Sequence, residues 1–125
     1  MLHITLPLPS LLACLSWLIL HHDALLSAAR LLGGDFSARR AARIIDAASR
    51  QTTVSRLFLS DLDWLHDLLT LRHVGDPDRI ETAFYTAVDP MDPAVEEICL
   101  LSEALREHID AIRAEAQAIR AKRSA

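Results

Sequence analysis

Apolar residues recur along this chain at spacings of three and four, the period of a helix with one buried face. The longest such pattern begins early. Leu11, Leu18, Leu25 and Leu32 repeat every seven residues, with Leu15, His22 and Ala29 at the companion positions. Leu12, Ile19 and Leu26 form a second column beside them, so the apolar face is wider than a two-strand seam needs. The spacing predicts one long helix. Pro9 opens it with Ser10 as N-cap, and Gly33-Gly34 closes it, where a left-handed residue costs little. Such a helix is either the central helix of the domain or part of a dimer interface. His22 then sits in the apolar stripe as a hydrogen-bonded or partly exposed histidine.

The pattern continues in shorter pieces. Over 36–50, Ala38, Ala41, Ile44, Ile45 and Ala48 share one helical face and Arg39, Arg43 and Arg50 the opposite one. Asp46 lies within that arginine stripe, spaced for pairing with Arg43 and Arg50. Val54, Phe58, Leu62, Leu65 and Leu69 carry a further helix over about 53–73, which a capping box at Ser60 and Asp63 would also restart. Gly75 ends it. Asp76-Pro77 reads as N-cap and first residue of a short helix with Ile80, Ala83, Phe84 and Ala87 on its apolar side. Asp89-Pro90 ends that helix, and Asp92-Pro93 starts the last one.

The last helix, 93–122, has the plainest pattern. Val95, Ile98, Ser102, Leu105, Ile109, Ile112, Ala116 and Ile119 alternate spacings of three and four between charged residues. Acids at its start (Glu96, Glu97) and bases at its end (Arg120, Lys122, Arg123) match the helix dipole. The expected fold is all-α: a single-domain bundle of about five helices over residues 1–125, with long first and last helices packed together. No repeat of 20–50 residues divides the chain. Leu11, Leu18, Leu25 and Leu32 on the first helix, with Leu105, Ile109, Ile112 and Ile119 on the last, are surplus apolar surface. They are the candidate protein interface, toward a second copy or another protein.

Composition agrees. A chain of 125 residues, 51% hydrophobic, can bury a core without metal or disulfide staples. With 3 glycines and 5 prolines it is too poor in turn residues for a loop-rich β protein. Cys14 and Cys99 form no CxxC and read as two reduced core thiols of a cytoplasmic protein. The run LPSLLACLSWLIL over 8–20 is the most apolar, but no Lys or Arg precedes Arg30, and His21-His22-Asp23 stop it short of the roughly 20 residues of a membrane span. Neither export nor insertion is expected.

Charge is uneven. Residues 1–56 hold six arginines against Asp23, Asp35 and Asp46, whereas 57–125 hold fourteen acids against seven bases. Such asymmetry suits a polyanion-binding first half, a bipolar partner, or solubility alone.

The basic half contains AARIIDAASRQTTVSR, over 41–56. Two helical pieces meet at a polar elbow. This stretch resembles the helix-turn-helix of bacterial winged-helix transcription regulators, in which an AAR helix is followed by an SR reader helix. The resemblance spans about twenty residues. It implies a positioning helix SARRAARIIDAA, a turn SRQT and a reader beginning TTVSRLF. Gln51, Thr52, Thr53, Ser55 and Arg56 would then face bases, and Arg39, Arg40, Arg43 and Arg50 the phosphate backbone. The chain departs from the family's pattern in a longer turn, no turn glycine and no hairpin wing. The competing reading is a bundle helix with a solvated arginine face.

Catalytic chemistry is not expected. Asp63, His66 and Asp67 share a helical face, with His21, His22 and Asp23 as further ligand types, but a solvated polar face accounts for them. Glu-x-x-His pairs, G-x-S-x-G, a P-loop and G-x-G-x-x-G are all missing. The sequence predicts no cofactor, metal or small-molecule substrate. It predicts a non-catalytic helical interaction or regulatory protein that self-associates through its long amphipathic helices, with a DNA-binding regulator as the alternative.

Overall fold

A computed structural model of the chain describes residues 8–51, 54–70 and 91–124. Four helices make up the described residues, with no strand among them: α1 (Pro9–Leu20), α2 (His22–Ala48), α3 (Arg56–Leu69) and α4 (Pro93–Ser124). The all-α class is as expected. The short helix expected after Asp76-Pro77 lies outside the described residues.

The start of α1 differs in detail from the expectation. Leu8 is the N-cap, and Pro9 occupies the first helical turn, where its missing N–H costs nothing. Ser10 lies inside the helix, and its N–H donates to Glu115 Oε2 of α4 at 3.3 Å. A carboxylate from the far end of the chain thus satisfies one of the orphan donors at this helix N-terminus.

The long first helix is broken at His21. Its N–H donates to the Trp17 carbonyl at 3.0 Å, and its Nδ1 lies 3.0 Å from the same oxygen. The i→i−4 bonds are kept on both sides of the bend, and the departure is in the His21 backbone, at φ −102° and ψ 19°. α1 and α2 are bent by 71° at this point. The heptad spacing runs through the bend unchanged, because Leu18 and Leu25 on either side are both fully buried.

Gly34 interrupts α2 as the glycine pair suggested. Its φ of 72° and ψ of −167° fall in a region that is essentially glycine-only. Gly33 is needed for a different reason: a Cβ there would collide with the Ser37 side chain, buried one turn further on. The helix resumes at once after this break, so the expected first and second helices share α2.

α4 touches all three other helices. α1 lies antiparallel to it, with Ser10 at Glu115 and the Trp17 ring 5.3 Å from that of His108. The first half of α2 continues along the start of α4, where Ala24, Ala28 and Leu31 line a small cleft with Ala94, Ile98 and Leu101. α3 is also antiparallel to α4, since Asp63 pairs with Arg113 while Thr70 shares a cleft with Ser102. One core joins them, built from Leu11, Leu18, Leu25, Leu62, Leu65, Leu105, Ile109 and Ile112 among others. On α4 the buried position after Ile98 belongs to Leu101. The expected Ser102 is half-buried, and its hydroxyl donates to the Cys99 carbonyl at 2.8 Å.

Candidate interaction surfaces

The apolar stripes expected to form an interface are core. Leu11, Leu18, Leu25, Leu32, Leu105, Ile109 and Ile112 are each at most 2% exposed and pack against one another within the single chain. Ile119 is half-buried, on the part of α4 beyond Ile112. The surplus apolar surface lies elsewhere. α1 carries no charged residue. On its outward side Leu12, Ile19 and Leu20 are 49%, 57% and 80% exposed, and Ala13 and Ser16 between them are exposed too. The sequence held a trace of this in its second apolar column, which contains Leu12 and Ile19. Leu26 of that column is half-buried against the core. Phe36, Leu57, Met91 and Leu100 are also exposed, but single apolar residues at a surface are ordinary.

The arginine segment folds as follows. Arg39 and Arg43 are exposed and make no ion pair among the described residues. The Arg40 guanidinium lies 4.2 Å from the centroid of the Trp64 ring on α3. Arg50 pairs with Asp46 at 3.0 Å, on the spacing expected for one helix face. Gln51 is half-buried, its amide 3.5 Å from the Ala47 carbonyl. Thr52 and Thr53 lie outside the described residues.

Of the expected reader TTVSRLF, the described helix α3 begins at Arg56. α2 ends at Ala48 and α3 begins at Arg56, so seven residues separate them, against the three or four of a tight helix-turn-helix turn. Ser55 is the N-cap of α3, its hydroxyl accepting from the Phe58 N–H at 3.1 Å. That hydroxyl therefore does structural work at the helix start. Arg56 is exposed at the first helical position, but the turns after it carry Asp61, Asp63 and Asp67, whose charge opposes phosphate.

The polar face proposed for α3 is partly an inter-helix face. Asp63 forms a hydrogen-bonded ion pair with Arg113 of α4. His66 is buried, on a cleft that Ser102, Glu103, Arg106 and Glu107 of α4 also line. Burial first, and then the neighbouring Arg106, hold the His66 imidazole below its ordinary pKa; Asp67, Asp63 and Asp110 oppose this. Among the described residues, no three His, Cys, Asp or Glu side chains are grouped to hold a metal ion.

A second histidine is shifted for similar reasons. The Trp17 ring has His21 at 5.0 Å and His108 at 5.3 Å. Burial lowers the His108 pKa, the nearby His21 lowers it further, and Glu107 acts against both. Cys14 is buried as expected, which pushes its thiol up to about 11, whereas Cys99 is exposed rather than part of the core. No single described helix is long and apolar enough to cross a membrane; α1 and α2 pass only as a bent pair.

Compared with known proteins, the chain matches no family model, no curated protein and no solved structure.

Proposed function

We propose that this chain is a non-catalytic helical interaction protein of the cytoplasm, acting through protein–protein contact at the outward face of α1. The observation that supports this reading is the uncharged surface formed by Leu12, Ala13, Ser16, Ile19 and Leu20. A helix that is apolar all round is ordinarily buried on every side. Here the inner side packs on α4 and the outer side is exposed among the described residues, which supports reading it as a contact surface. The shifted groups, His66, His108 and Cys14, owe their shifts chiefly to burial in the bundle, which suits a structural role for each.

A photo-crosslinking side chain placed at Leu20 tests this in the cell. Discrete protein adducts are expected from Leu20 and none from the same side chain at Arg39. Adducts with lipid alone, or none, would overturn it. The alternative, DNA reading by residues 49–56, has the exposed Arg39 and Arg43 in its favour. The seven-residue separation of α2 and α3, the Trp64 partner of Arg40 and the acids of α3 weigh against it. It would require duplex binding that falls steeply with salt and is lost in Arg39→Ala and Arg43→Ala.

A further inference from the structure

The start of α3 and the last turns of α4 wall a cleft of about 570 Å³, the size of a small-molecule site. The antiparallel packing of the two helices creates it. Arg113, Gln117 and Arg120 share one face of α4 at spacings of four and three, and Arg56 joins them from the first turn of α3. Three guanidiniums and an amide thus line one space, and no carboxylate lines it among the described residues. The acids of the neighbouring turns are engaged elsewhere. Glu115 accepts from the Ser10 N–H of α1, Asp110 pairs with Arg106 at 3.8 Å, and Asp63 pairs with Arg113. Arg56 makes no ion pair among the described residues. The first turn of α3 holds no acid either, so the positive end of its dipole adds to the same sign. Val54 and Leu59, which pack against the core, give the cleft an apolar wall.

We infer that this cleft binds a small phosphomonoester, with its phosphoryl group among Arg56, Arg113 and Arg120 and its organic part on Val54 and Leu59. A guanidinium presents a planar fork of N–H donors that matches phosphoryl oxygens two at a time. A phosphomonoester is close to a dianion at neutral pH, so it has charge and acceptors for more than one arginine, where a single carboxylate has fewer. Gln117 adds a neutral amide at the same wall. Asp61 and Asp67 of α3, whose charge would oppose an anion, line no part of the cleft. Arg113 to Arg120 covers two turns of α4, about 10 Å, which fits a small ligand better than a duplex. The inference goes beyond the reading of α1 and is independent of it, since no residue of α1 lines the cleft.

Isothermal titration calorimetry of the full chain, at neutral pH in phosphate-free buffer, tests this with phenyl phosphate, inorganic phosphate and benzoate as probes. Phenyl phosphate should bind with a dissociation constant below about 1 mM. Inorganic phosphate lacks the apolar part and benzoate the second charge, so each should bind at least about tenfold more weakly. Arg56→Gln and Arg120→Gln should each weaken phenyl phosphate binding by about tenfold, the effect of losing one charge-assisted contact. Both side chains are exposed, so the helical circular-dichroism spectrum of each variant should match wild type. Arg39→Gln, which removes an exposed arginine of α2 outside the cleft, should leave binding unchanged. Three results would each overturn the inference: no binding of phenyl phosphate in the millimolar range, binding no tighter than that of inorganic phosphate or benzoate, or an equal loss in Arg39→Gln. Binding of duplex DNA or of a phosphoserine peptide, with none of phenyl phosphate, would overturn it as well.

Discussion

The guanidinium of Arg40 on α2 stands 4.2 Å from the centre of the Trp64 ring on α3. An arginine that reads as one of a basic stripe is thereby committed to an inter-helix contact. A cation over an aromatic face is worth about 0.5–1 kcal/mol at a partly exposed site. Arg40→Ala should therefore lower unfolding stability by about that amount and alter Trp64 emission. Arg39→Ala, which removes the same charge from an exposed position one residue away, should stay within about 0.5 kcal/mol of wild type. Urea unfolding followed by circular dichroism, together with tryptophan fluorescence of the folded state, checks both. Equal losses in the two variants would mean that net charge, rather than the ring contact, matters.

The two cysteines should separate in a thiol titration. Burial pushes Cys14 up to about 11, and Cys99 is exposed on α4. With that pKa, roughly one Cys14 in ten thousand is thiolate at pH 7, and the reagent must also reach it. One thiol should react in the native protein and the second only on unfolding. Cys99→Ser should abolish the fast reaction.

Most of the helical architecture is legible in the sequence, because local signals and burial coincide there. Pro93 starts α4 where the Asp-Pro pair says it should, and Leu105, Ile109 and Ile112 are buried on the expected period. The bend at His21 is not legible, since Leu18 and Leu25 keep their heptad spacing through it and the break lies in the backbone angles of His21. The same spacing also cannot say which partner covers an apolar stripe. Leu11 to Leu32 look like surplus surface until α4 is seen lying against them, and the surface left over is the adjacent column of Leu12 and Ile19. Long-range polar contacts leave even less trace. Nothing local to Asp63 announces Arg113, fifty residues away, and nothing near Ser10 announces Glu115.

Gly34 offers a test of backbone conformation independent of packing. With φ at 72° and ψ at −167°, it lies away from the left-handed helical basin that asparagine tolerates. Gly34→Ala and Gly34→Asn should thus both cost on the order of 1–3 kcal/mol. At an ordinary left-handed helix cap, asparagine would be markedly the better tolerated of the two. Thermal melts of the two variants side by side make the comparison, and near-wild-type stability of Gly34→Asn would place this residue in the left-handed helical basin instead.

Acidification should unfold this protein partly through its histidines. His66 and His108 are both held below their ordinary value of 6.5, chiefly by burial. A base with a lower pKa in the folded state than in the unfolded one takes up its proton first when unfolded. Between the unfolded value and the lower folded one, the unfolded chain therefore binds more protons, and stability falls as pH falls. The contribution is fully present above about 6.5 and is progressively lost below it, until the folded-state pKa of each ring is passed. For His66 the cation would also arise beside Arg106 across the α3–α4 interface, and for His108 beside His21 next to the Trp17 ring. Urea midpoints measured from pH 7.5 downward should thus decline through this window, and the slope should flatten in part with His66→Gln and in part with His108→Gln. Because the two rings flank different helix pairs, the double variant should lose both parts of the slope additively. A midpoint that stays level across the window in the wild-type chain would mean that neither ring is held neutral by the fold.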